Sequence, residues 1–199
     1  MEWQSILFLY LVVIISAVVH EYAHAWAAFR QGDLTAKYAG RLTLNPLAHI
    51  DYWGTVILPL ILLFVFHFFF GYAKPVPINP YNFRNQRRGM IWVSVAGVAA
   101  NFSIAVLLAL VARFLPGFFL NPFLVLIIQV NLWLGLFNLL PFPPLDGSKL
   151  LMVLIDTKNQ RLRELADFLN KPLGFILAIF IAMTFLPYLA DWLLKILLF

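Results

Sequence analysis

The sequence predicts an all-α polytopic membrane protein with about four to five transmembrane helices, a re-entrant element and a short membrane-associated β-hairpin. Three observations carry this expectation. Hydrophobic residues make up 63% of the chain, charged residues only 12%, and the mean hydropathy is +0.88, outside the range of soluble domains. The apolar residues gather in five runs, at 5–28, 55–70, 89–115, 121–140 and 173–199. Turn-forming residues and most of the charges lie between those runs.

A chain of 199 residues holds several spans of about 20 residues but no further soluble domain of ordinary size, so residues 1–199 are expected to form one membrane-embedded domain. The net charge of +5 does not point to nucleic acid, because the basic residues sit in loops between apolar runs, where membrane orientation puts them. With no cysteine in the chain, disulfides and thiolate ligands are excluded, and any metal must be held by His, Asp or Glu.

The run at 5–28 reads as a retained helix rather than a cleaved leader. Glu2 stands where a basic segment belongs, and the run reaches spanning length only by passing through His20, Glu21 and His24. Residues 32–50 carry turn formers, and the partly alternating stretch 38–44, ending at Asn45-Pro46, predicts a β-hairpin or extended loop beside the membrane. The run at 55–70 is short, contains Pro59 and ends at Gly71, so a re-entrant hairpin competes with a tilted span. Lys74-Pro75-Val76-Pro77 reads as extended polyproline, followed by the basic Arg84, Arg87 and Arg88. The runs at 89–115, 121–140 and 173–199 are each long enough to span. Leu162, Leu165, Phe168 and Leu169 recur at helical spacing among charges, which suits a helix lying on the membrane surface.

Loop charges choose between the topologies. If 55–70 dips in and returns, twelve Lys and Arg share one face, and only Arg113 and Lys195 lie on the other. Twelve against two is the bias of a cytoplasmic face, whereas five full crossings divide the same residues five and nine. Four spans plus a re-entrant element is therefore the expected arrangement, in a cell membrane of the bacterial or archaeal inner type, with an extracytoplasmic N-terminus.

His20-Glu21-Tyr22-Ala23-His24 fits the pattern H-E-x-x-H. Two histidines at i and i+4 share one helical face and can both reach one zinc, while Glu21, about 100° round the helix, stands beside the metal as an acid/base group. Three ionisable side chains in one turn of a lipid-embedded helix are costly unless they function. A catalytic zinc needs a third ligand, and Asp146 is the only ionisable residue between Arg113 and Lys149. It follows a proline-broken helix end, Asn138-Leu139-Leu140-Pro141-Phe142-Pro143-Pro144-Leu145, and capping the next helix is its other reading. Asp146 meets His20 only if the first and fourth runs are parallel, which the re-entrant topology provides. His49 and His67 are lone histidines read as structural, with a supporting role beside a metal ligand open to His49.

These residues resemble the site-2 proteases, the zinc intramembrane metalloproteases of the peptidase M50 class. The resemblance covers nearly the whole chain: His20 to His24, then Gly40-Arg41-Leu42-Thr43-Leu44-Asn45-Pro46-Leu47-Ala48-His49, then Gly97-Val98-Ala99-Ala100-Asn101, then Asn138 to Gly147. It looks like a compact form without a PDZ or regulatory domain. The likeness implies one zinc per chain on His20, His24 and Asp146, with Glu21 as catalytic acid/base and a β element next to the site. It implies a zinc-dependent endopeptidase that cuts transmembrane segments of membrane proteins, with the active site toward the cytoplasm. Asn138 has two readings, a donor to the developing oxyanion and a hydrogen bonder in helix packing. Gly97 and Asn101 suit close helix packing. Edge pairing of an unwound substrate along 38–44 is a further expectation, as is a plain surface hairpin there. Two other functions use the same ligands: a zinc transporter, which has no need of Glu21, and a membrane hydrolase of a non-protein amide, which needs a small-molecule pocket.

Overall fold

The computed structural model describes residues 3–66, 71–115, 117, 121–155, 160–169 and 171–199. His67 lies outside them. The chain divides into two compact units, Met1–Gly89 and Met90–Phe199, and all regular structure among the described residues is helical.

The first unit begins with α1, Trp3–Arg30, whose 28 residues span about 40 Å, more than a bilayer's hydrocarbon core. Leu7, Leu11 and Ile15, at successive i+4 positions, are 60%, 48% and 56% exposed, a stripe suited to lipid rather than water. The stripe Val12, Ser16, His20, His24 and Ala28 is buried. Near the end of α1 the Arg30 guanidinium lies over the exposed Trp26 ring, 5.6 Å from its centroid.

The hairpin expected at 38–44 does not form. Thr35–Tyr38 makes a short helix, α2, and Gly40, at φ +68°, ends it: Arg41 N donates to Ala36 O (2.8 Å) and Gly40 N to Lys37 O (3.0 Å). This is a Schellman closure, which needs the left-handed conformation that glycine adopts without strain. The alternating apolar residues are thereby drawn into a helix end and a loop, not a ladder. Thr43 then accepts from Asn45 N, and Asn45 caps a 3-10 turn, Pro46–His49.

A π-helical turn, Tyr52–Ile57, follows, capped by Asp51, whose carboxylate accepts from Gly54 N (2.7 Å) while its own N–H donates to Thr55 Oγ1 (3.0 Å). It leads into α3, Leu58–Phe66. Tyr72 lies against the start of this segment: its N–H donates to Gly54 O (3.0 Å), and Thr55 Oγ1 donates to Tyr72 O (2.9 Å). The extended segment 73–79 then leads to a 3-10 turn, Pro80–Asn82.

α4, Gln86–Phe114, starts in the first unit and supplies the first helix of the second. Asn121 caps α5, Pro122–Leu139, with Pro122 at the first helical position, where its missing N–H costs nothing. The remaining helices are α6, Asp146–Leu154, α7, Gln160–Leu169, α8, Pro172–Thr184, and α9, Leu186–Leu198. Ala105, Ala109 and Ala112 of α4 pack with Ile128 and Leu132 of α5 and with Ala190, Leu194 and Leu198 of α9. Small residues on α4 let the backbones approach, as transmembrane packing requires. α7 forms where the amphipathic spacing placed a helix, with Leu165 and Phe168 exposed and Leu169 buried.

Among the described residues three helices, α1, α4 and α5, are long and apolar enough to cross a membrane, or four if the bent pair α8–α9 is one span. That pair turns by 42° at Phe185. Pro187, two residues on, has no N–H for the carbonyl four residues back.

Candidate metal centre and its supporting strap

His20 and His24 stand one turn apart on the buried stripe of α1, 7% and 4% exposed. Their rings meet edge to face, with centroids 4.6 Å apart and planes at 81°. The two Nε2 atoms face each other at 2.9 Å. With one imidazole neutral and donating, this is a hydrogen bond; with both lone pairs turned inward, it is half of a tetrahedral donor set. Two converging imidazole nitrogens without any thiolate fit zinc.

Glu21 lies beside them, half-buried, and its Oε2 accepts from the backbone N–H of Val76 at 2.8 Å. Val76 belongs to the strap 73–79, part of the stretch that the sequence marks as extended polyproline. Asp33 anchors the far end of that strap. Its fully buried carboxylate accepts from Asn79 N (2.7 Å), Asn82 Nδ2 (2.8 Å), Thr35 N (3.1 Å) and the Thr35 hydroxyl. Burial pushes the Asp33 carboxyl up, but these hydrogen bonds outweigh it and hold the group below the ordinary carboxylate range. His49 is buried at the end of its 3-10 turn, with Nε2 2.9 Å from Thr43 O and, among the described residues, no partner at Nδ1.

Asp146 opens α6 in the second unit. It is buried, 4% exposed, and pairs with Lys149 Nζ at 2.9 Å. It does not cap α6, because the cap position is Leu145, which makes no side-chain bond. As the first helical residue, Asp146 sits at the positive end of the helix dipole, which favours its anion. Gly147 is required by packing: a Cβ there would collide with the Leu139 carbonyl at the end of α5. The Asp-Gly pair thus brings a carboxylate and a close backbone approach to one place.

Asn138, half-buried near the end of α5, donates through Nδ2 to Leu134 O (3.0 Å) within its own helix. Asn101 donates to Asn131 Oδ1 (2.9 Å), and Asn131 to Ile127 O (2.9 Å), with both asparagines fully buried. This amide pair ties α4 to α5, the packing role expected of Asn101. Asn131 was not singled out from the sequence, although an amide inside an apolar helix is itself the signal.

The model of peptidase family M50 matches residues 117–181, a stretch that includes Asn138 and Asp146. YwhC of Bacillus subtilis, a zinc metalloprotease by name, is 38% identical over 160 residues, covering 74% of this chain and 69% of its own. Rip2 of Mycolicibacterium smegmatis, named likewise, is 31% identical over 188 residues, covering 90% and 67%. A zinc metalloprotease of Methanocaldococcus jannaschii is 25% identical over 178 residues, covering 86% and 42%. No solved structure matches the chain.

Proposed function

Since the chain belongs to peptidase family M50 and is a zinc metalloprotease of the site-2 protease class with membrane-spanning helices, we propose that it hydrolyses peptide bonds in or near the transmembrane segments of other membrane proteins. The observation that carries this reading is the pair of buried imidazole nitrogens facing each other at 2.9 Å on a helix of spanning length, with the Glu21 carboxylate beside them. A reaction that needs a metal and a base inside the bilayer accounts for such a cluster.

In this reading His20, His24 and Asp146 hold one zinc per chain, and residues 1–199 work as one catalytic domain. Zinc supplies Lewis acidity that brings the pKa of water to about 7 and polarises a carbonyl. Glu21 accepts the proton of the attacking water and returns it to the leaving nitrogen, so the carboxylate is regenerated in each turnover. Asn138 has one amide hydrogen beyond its bond to Leu134 and offers it to the oxyanion or to the substrate backbone. The buried Asp146 adds one negative charge to two neutral imidazoles, a donor set that favours a dication.

The segment 55–70 is read as re-entrant. Its support is the hydrogen bonding of Gly54 and Thr55 to Tyr72, since a segment whose two ends meet returns to the face it left. With that topology the basic loops face the cytoplasm of a bacterial or archaeal cell, and the active site lies toward that side.

Paired measurement of zinc content and of cleavage of a panel of single-span membrane substrates tests the proposal, in wild type and Glu21→Gln. About one zinc per chain in both, with cleavage lost in the variant by at least 10³-fold, is the expected result. Zinc retained by both, no cleavage by either and zinc uptake into wild-type vesicles would replace the protease with a transporter.

A further inference from the structure

Residues 73–78, Ala-Lys-Pro-Val-Pro-Ile, place prolines at alternate positions. Along an extended chain successive N–H groups point to opposite sides. The N–H groups of Tyr72, Lys74 and Val76 all point inward, to Gly54 O (3.0 Å), His49 O (2.9 Å) and Glu21 Oε2 (2.8 Å). The outward positions 75 and 77 are the prolines, which have no N–H to leave unsatisfied. The strap is therefore one-sided. The N–H groups of Tyr72, Lys74 and Val76 serve the interior, and that of Val76 serves Glu21.

Both ends of the strap are fixed, by Tyr72 on Gly54 and by Asn79 N on the Asp33 carboxylate (2.7 Å). Its middle is fixed as well. The Val76 side chain is 7% exposed and packs with Ala25, one turn beyond Glu21 on α1, with Ala36 of α2, and with Leu42 and Ile78. The N–H aimed at Glu21 thus comes from backbone that is tied at both ends and packed at its middle. Glu21 Oε1 carries no hydrogen bond among the described residues, so one oxygen is anchored and the other is free for chemistry.

We propose that Val76 is a positioning residue for Glu21, its backbone N–H holding Oε2 so that Oε1 is aimed at the attacking water and the leaving nitrogen. This rests on the reading of Glu21 as the proton carrier. A long carboxylate that must take a proton from one atom and deliver it to another gains from a fixed pivot, because proton transfer is steep in distance and angle. A charge-assisted hydrogen bond is the strongest such pivot a backbone offers. The rival arrangement, in which the strap occupies the substrate's place and its N–H imitates the leaving amide, predicts the opposite kinetic sign.

The test compares wild type, Glu21→Gln, Val76→Pro and Val76→Ala as zinc-loaded full-length chains in liposomes, on one single-span substrate, with kcat and KM measured separately. Val76→Pro removes the N–H in a stretch already flanked by prolines. The expected result is zinc retained, KM within about twofold, and kcat lowered by roughly 10- to 100-fold, the worth of one charged hydrogen bond. Val76→Ala, which keeps the N–H, rescues kcat. Wild-type or faster turnover by Val76→Pro overturns the proposal, and faster turnover establishes the plug instead. A second readout is independent of cleavage: the Val76 amide proton, slow to exchange and shifted downfield in wild type, moves in Glu21→Ala. An unmoved resonance overturns the proposal even where Val76→Pro fails to fold. If wild type cuts nothing, or Glu21→Gln cuts as well as wild type, the protease reading fails, and the amide resonance still decides whether Val76 holds Glu21.

Discussion

Asp33 shows how one buried carboxylate can organise a site it never touches. It gathers Thr35, Asn79 and Asn82, and through Asn79 it fixes the strap that reaches Glu21. Its folded pKa lies below the unfolded value of about 4, so its contribution to stability is complete above that pH and is lost as pH falls through the lower, folded value. Asp33→Asn is therefore expected to cost about 1–3 kcal/mol at pH 7, measured by urea unfolding in detergent, and to differ less from wild type as pH falls through the lowered, folded value. The residues of the site were legible unequally, for physical reasons. His20, Glu21 and His24 announce themselves through side-chain chemistry at fixed spacing. Asp146 stands out because it is alone among apolar neighbours. Val76 contributes only a backbone N–H, which every residue but proline has, so no side chain marks it in the sequence.

The elements follow the same division. Long apolar runs predicted α1, α4 and α5 correctly because composition alone decides whether a segment can cross lipid, and no periodicity is needed. The hairpin at 38–44 failed because alternation over so few residues is weak, and Gly40 closes a helix there instead of opening a turn between strands. The run at 173–199 was expected as one span, and the 42° break between α8 and α9 was missed although Pro187 lies beside it. The contact between the end of α5 and the start of α6 depends on an absent side chain. Gly147→Ala forces the Leu139 carbonyl aside, and the expected cost is about 1–3 kcal/mol, read as a lower midpoint of thermal unfolding. Because Asp146 precedes that glycine, the same variant is expected to bind zinc more weakly, read by competition with a chromophoric chelator.

At the scale of the whole molecule the exposed apolar stripes and the basic loops orient the chain against two solvents. The chain has no native cysteine, so single cysteines placed at Lys37, Arg87, Lys149 and Arg113 report sidedness directly. A membrane-impermeant maleimide added to intact cells is expected to label only the last of these; labelling at Arg87 without Lys37 would make 55–70 a true crossing. The Trp26–Arg30 pair on α1 adds a depth gauge to this orientation. Tryptophan and arginine settle at the headgroup boundary, and at 1.5 Å per residue His24 and His20 lie about 3 and 9 Å inside it. A site so shallow draws its water from the nearby aqueous phase through a short path. On the proposed topology and substrate class such a site would meet a substrate helix close to its cytoplasmic end, where fraying is cheapest, so cleavage positions mapped by mass spectrometry are expected within about two helical turns of that end rather than at the bilayer midplane.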